Sequence, residues 1–154
     1  MQNPVLKLVC VILASFIFSG CITGNSTLDI ITSSTPLLVC TDITEPGDYE
    51  LTQDLSSAGS CLNIYSDNVS LNCNGYLING SGGGTGIYLI GIKNISISNC
   101  NISNFSTGLS LFYTNYSNIY NIETSYNLGN GIYLASSNWN NFTNITAYIN
   151  SNAG

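Results

Sequence analysis

Apolar and polar residues alternate in short runs along the chain. "GIYL" at 86–89, "GLSL" at 108–111 and "GIYL" at 131–134 carry apolar side chains at every second place, and "VSLNC" from Val69 and "ISISN" from Ile95 do the same. A two-residue period sends successive side chains to opposite faces of a strand. The three- and four-residue steps of an amphipathic helix are missing. Between the runs stand clusters of Asn, Gly and Ser, which form turns and tolerate left-handed backbone. The pattern predicts many short strands joined by tight bends.

The runs also recur at a nearly fixed distance. Gly86, Gly108, Gly131 and Gly154 stand at almost equal steps. A step of 23 relates Asn104, Asn127 and Asn150, and likewise Tyr116 and Trp139, Asn118 and Asn141, Ile119 and Phe142, Asn121 and Asn144, Ile122 and Ile145. Repeats of ~20–50 residues signal stacked architectures. A repeat of about 23 residues with three short strands has the size of one rung of a right-handed, single-stranded parallel β-helix, an all-β solenoid whose coils rise ~4.8 Å. Ile87, Leu89, Leu109, Leu111, Ile132 and Leu134 then point inward as aliphatic columns. Tyr88 and Tyr133 point outward, where a tyrosine row can meet sugar rings or simply favour the strand.

In such a stack the asparagines have a structural use. Amides at one bend of successive coils can donate N–H to the neighbour's carbonyl oxygen. Asn104, Asn127 and Asn150 form the first expected ladder, and Asn121 and Asn144 the second; ligand binding by these amides is the alternative. Gly154 holds the place of Gly131 one rung on, so the coils 68–154 are expected to stop mid-coil. That suggests a fragment of a longer product, or a ragged edge open to end-to-end self-association.

Charge narrows the partners. The 154 residues include two Lys, no Arg, no His and eight acids, for a net charge of −6. That balance repels phosphate backbones and excludes nucleic-acid binding.

Residues 1–20 read as a signal peptide, with Lys7 before an apolar run from Leu8 to Phe18 that is short of the ~20 residues of a membrane span. Phe18-Ser19-Gly20-Cys21 is similar to a lipobox, with Phe where that pattern favours Leu, and implies lipid on Cys21. A plain signal peptide and an uncleaved anchor are the alternatives. Residues 21–39 form a Ser/Thr-rich tether. Export and lipidation would leave Cys40, Cys61, Cys73 and Cys100, an even number suited to an oxidising compartment. Cys40 with Cys61 is the first expected disulfide and Cys73 with Cys100 the second, against four buried free thiols.

Residues 40–67 read as an N-terminal cap, with a turn at Pro46-Gly47 before "YELTQDL". "NVSLNCNGYLING" from Asn68 to Gly80, followed by "GTGIYL" and "NISISNCNIS", resembles the opening of right-handed β-helix surface proteins of the pectin-lyase-like superfamily. These include the NosD-like group common on archaeal cells. The resemblance covers about residues 40–154 and implies the fold. The copper binding attached to NosD-like domains does not carry over, because soft-metal capture needs Cys, Met or His, and this chain has no His and a single Met. No cofactor is expected.

Catalysis by paired carboxylates, as in glycoside hydrolysis, needs two acids facing each other across the bond. From Asn68 onward there is one acid, Glu123, and one base, Lys93. Asp42, Glu45, Asp48 and Glu50 are either a solvated turn or a Ca²⁺ site. Nine Asn-X-Ser/Thr sequons begin at Asn25, Asn68, Asn79, Asn94, Asn101, Asn104, Asn115, Asn141 and Asn144. Asn104, as a buried ladder amide, is the one not expected to carry a glycan. The sequence therefore points to a secreted or lipid-anchored module at the extracellular face of the membrane, a scaffold or adhesin that meets carbohydrate or other surface components, with no catalytic residues in the part present. The alternative is the N-terminal portion of a polysaccharide-active lyase or hydrolase whose site lies beyond residue 154.

Overall fold

The computed structural model describes residues 33–152. Residues 1–20, Cys21, Asn25, the tether up to residue 32 and Gly154 lie outside the described residues. The described chain is all-β, a solenoid of about 5 turns built of parallel sheets. Among the described residues there is no helix.

One sheet runs in the order β1 (Thr35–Leu37), β3 (Gly47–Leu51), β6 (Val69–Asn72), β9 (Ser96–Ser103), β11 (Asn118–Ser125) and β13 (Asn141–Tyr148); β4 (Leu55–Ser56) and β7 (Leu77–Asn79) extend it at the side. The second sheet stacks β2 (Asp42–Ile43), β5 (Leu62–Ile64), β8 (Thr85–Ile90), β10 (Thr107–Phe112) and β12 (Ile132–Ala135). Every strand pairing is parallel. Within the stretch read as a tether, Thr35–Leu37 pairs with Tyr49–Leu51. The stretch read as a cap supplies β2 to β5, which stack beneath the coils above them.

The register makes like sit over like. Leu62, Ile87, Leu109 and Ile132 form one inward column, Ile64, Leu89, Leu111 and Leu134 a second, and Leu71, Ile97, Ile119 and Phe142 a third. Leu109 and Leu111 are fully buried. In the uppermost described coil, Ile132 is half-buried and Leu134 is 44% exposed, although both hold inward positions.

Two disulfides tie successive coils, Cys40 to Cys61 and Cys73 to Cys100. They close loops of 21 and 27 residues, for which chain-entropy arguments give roughly 3–4 kcal/mol each. The second spans an irregularity. Ser70 pairs with Ser96 and Leu77 with Asn101, so the lower coil holds more chain than the upper one between the same two register points. The excess is taken up between Cys73 and Tyr76, where Asn74 and Gly75 adopt φ of 52° and 80°.

The repeated glycines are explained by crowding, since Gly86, Gly108 and Gly131 have no left-handed φ. A Cβ on Gly108 would lie 2.6 Å from the Gly131 carbonyl oxygen and 3.0 Å from Asn127 Nδ2. One on Gly86 would lie 2.7 Å from the Gly108 carbonyl oxygen. Each glycine lets one coil settle onto the next at the same corner. Gly108→Ala should therefore cost about 2–3 kcal/mol through overpacking against backbone. Gly59→Ala, where a Cβ meets nothing within 4 Å, should change stability by less than about 0.5 kcal/mol. Urea denaturation of the two variants checks the contrast.

Candidate functional site: the outward columns

The coils turn at residues with left-handed backbone, and these residues also stack in columns. Asn68, Asn94, Tyr116 and Trp139 occupy one corner, with φ between 54° and 59°. Asn99, Asn121 and Asn144 occupy a second, with φ of 55°, 52° and 52°. Asn104, Tyr126 and Ile149 occupy a third, with φ of 60°, 56° and 52°. Asparagine visits this conformation more readily than other non-glycine residues.

The second corner carries a continuous amide ladder. Asn99 Nδ2 donates to Asn72 Oδ1 over 2.9 Å, Asn121 Nδ2 to Asn99 Oδ1 over 2.9 Å, and Asn144 Nδ2 to Asn121 Oδ1 over 2.6 Å. Asn127 and Asn150 make another contact of this kind, with Asn127 Nδ2 donating to Asn150 Oδ1 over 2.9 Å. Asn127 is 1% exposed, and its own oxygen accepts from the Phe105 backbone N–H.

Asn104 does not join that pair, contrary to the expected ladder of Asn104, Asn127 and Asn150. It is exposed and donates to Asn79 Oδ1 over 2.8 Å. The cause is a slip by a single place. Ser103 pairs with Ser125 and Leu109 with Ile132, so the upper coil fits an extra residue between those two points. That residue enters after Asn127, so Phe105 rather than Asn104 lies against Asn127. Its exposure also removes the reason for setting Asn104 apart from the other sequons. Asn68, Asn94, Asn141 and Asn144 are exposed like it, while Asn79, Asn101 and Asn115 are half-buried.

At the first corner the amide pair of the lower coils, Asn94 Nδ2 donating to Asn68 Oδ1 over 3.2 Å, gives way to an aromatic pair above. The rings of Tyr116 and Trp139 stack at 4.9 Å with an interplanar angle of 6°. Tyr88, Ser110 and Tyr133 share an outward column of the second sheet, with Tyr88 half-buried and Tyr133 exposed. On the first sheet, Ser96, Asn118, Tyr120, Asn121, Asn141 and Thr143 line a shallow groove of about 370 Å³.

Several carboxylates act as coil-to-coil acceptors. Asp42 accepts from Asn63 Nδ2, Asp54 from the Leu77 N–H and Asp67 from the Lys93 N–H, each over 2.8 Å. Glu123 accepts from the Tyr148 hydroxyl over 2.9 Å, which raises the Tyr148 pKa. Among the described residues, no three His, Cys, Asp or Glu side chains gather as metal ligands. The Ser34 and Asn74 side chains donate to Glu50 and hold its pKa below the ordinary 4.5.

Two outcomes follow. Asn121→Ala forfeits two exposed amide bonds and puts a Cβ residue without a local hydrogen bond at φ 52°, which should cost about 2 kcal/mol in urea denaturation. Asn121→Gly should recover about half of that. For Glu50, folding favours the ionised form, so its contribution is present above pH 4.5 and is lost as pH falls through the lowered folded value. The protection factors of the Thr35 and Leu37 amides, which are corrected for the intrinsic pH dependence of exchange, should fall on acidification, and Glu50→Gln should flatten that dependence.

No family model matches the chain, and no curated protein or solved structure matches it closely enough to carry an argument.

Proposed function

We propose that this chain is an exported surface scaffold, a right-handed β-helix of the pectin-lyase-like, NosD-like kind, held at the outer face of the membrane by lipid on Cys21. The observation that carries the reading is the pair of disulfides between successive coils. Such bonds form and persist in oxidising compartments outside the cytosol. The scaffold role draws support from how the polar groups are used: amides and carboxylates at the corners are spent on holding coil to coil. Glu123, the one acid of the upper coils, is engaged by Tyr148. The sheet faces between the corners are left to meet the surroundings, carbohydrate or other surface components among them.

The test uses the full chain in cells that export it. Protease added to intact cells should digest the protein, detergent should extract it from membranes, and non-reducing peptide mapping should recover both disulfides. Cys21→Ser should release it to the medium. A protein that survives protease on intact cells with all its cysteines reduced would overturn the proposal.

A further inference from the structure

We propose that Asn141 carries a covalent N-linked glycan while the other described sequons stay bare, an inference that rests on the reading of the chain as an exported surface protein. Eight sequons begin within the described residues, at Asn68, Asn79, Asn94, Asn101, Asn104, Asn115, Asn141 and Asn144. Exposure alone does not separate them, since Asn68, Asn94, Asn104, Asn141 and Asn144 are all exposed.

The difference lies in where each amide is spent. Nδ2 of Asn94 donates to Asn68 Oδ1 over 3.2 Å, that of Asn104 to Asn79 Oδ1 over 2.8 Å, and that of Asn144 to Asn121 Oδ1 over 2.6 Å. Asn101 Nδ2 donates to the Gly75 carbonyl over 2.9 Å. Asn68 and Asn79 are the acceptors in two of these bonds, and Asn115 Oδ1 accepts from the Asn138 N–H over 2.7 Å. Seven of the eight amides are thus tied to another coil. Asn141 is the exception. Its one side-chain contact among the described residues is a 3.4 Å approach of Nδ2 to Thr143 Oγ1, inside its own sequon. In the Asn94, Asn104 and Asn144 bonds the nitrogen reaches to the coil beneath. Asn141 has Asn118 beneath it in register and makes no such bond.

Glycan transfer acts on that nitrogen. A bond forms between Asn Nδ2 and C1 of the first sugar of a glycan carried on a lipid phosphate. The C1–O bond to the phosphate breaks, the lipid phosphate leaves with the electron pair, and Nδ2 gives up one of its two protons. A nitrogen aimed at a neighbouring coil has no room for a sugar ring, and a chain modified there could not make the bridge. The folded protein is therefore bare at those positions whether transfer precedes folding or follows it. At Asn141 the sugar replaces a proton that joins no coils. Alternation along β13 turns Asn141 and Thr143 outward together, with the half-buried Phe142 between them pointing in. The acceptor nitrogen and the hydroxyl that the sequon requires share one solvent-facing side.

The experiment places the signal peptide of a glycosylating secretory host ahead of the full chain, so that export does not depend on residues 1–20. The sequons of the secreted, disulfide-bonded protein are then mapped by peptide mass after enzymatic deglycosylation in heavy-oxygen water, which marks each asparagine that carried a glycan. Asn141 should be occupied at least about tenfold more often than any other described sequon. Asn141→Gln should remove that glycan, and so should Thr143→Val, which leaves the Asn141 amide intact. Asn68→Gly tolerates the left-handed backbone at φ 59° and deprives the Asn94 nitrogen of its acceptor, so Asn94 should gain a glycan. Asn68→Asp keeps an acceptor oxygen and should leave Asn94 bare. An empty Asn141, a higher occupancy at any other described sequon, or equal occupancy of Asn94 in the two Asn68 variants would each overturn the assignment. Export is imposed by the host signal, so those results leave the chain's own export untouched and the two readings fail separately.

Discussion

Everything in this fold depends on a coil closing on itself in about 23 residues while each strand stays in register with the coil below. Parallel pairing rewards only an exact return, since a slip of one residue exchanges the inner and outer faces of a strand. Closure needs sharp corners, and corners interrupt the strand hydrogen bonds. The chain meets both demands with left-handed residues at fixed corners and with side chains that replace the missing backbone partners. The ladder of Asn99, Asn121 and Asn144 is the clearest case, because one residue type supplies both the backbone conformation and the bridging amide.

The corner chemistry also explains the scarcity of charge. A stack places identical positions about one strand spacing apart, ~4.8 Å, where repeated like charges would repel. Amides stack head to tail without that cost, and aromatic rings stack face to face, as Tyr116 and Trp139 do. Asp42, Asp54 and Asp67 are each matched to a donor in an adjacent coil rather than to one another.

Much of this was legible in the sequence because the repeat is written in identities. The Ile-Tyr-Leu runs at 87–89 and 132–134 marked the inward columns, and the four inner cysteines carried the pairing that the structure contains. Two features were hidden by a spacing that is not constant. The coils around Cys73 are longer than those that follow, so equal steps of 23 did not show how the strands below residue 68 pair with the coils above them. The single residue added after Asn127 moved Asn104 out of the ladder expected for it, since counting in equal steps cannot locate an insertion inside a step.

The covalent ties are unevenly distributed along the stack. Both disulfides lie at or below Cys100, and the coils that follow are joined to it by hydrogen bonds and packing alone. A load applied at the C-terminal side would peel those later coils away one at a time, like a zip, until it reached the first covalent clasp. The cross-linked coils would hold their shape, so the described stack combines a yielding stretch after Cys100 with an inextensible one before it.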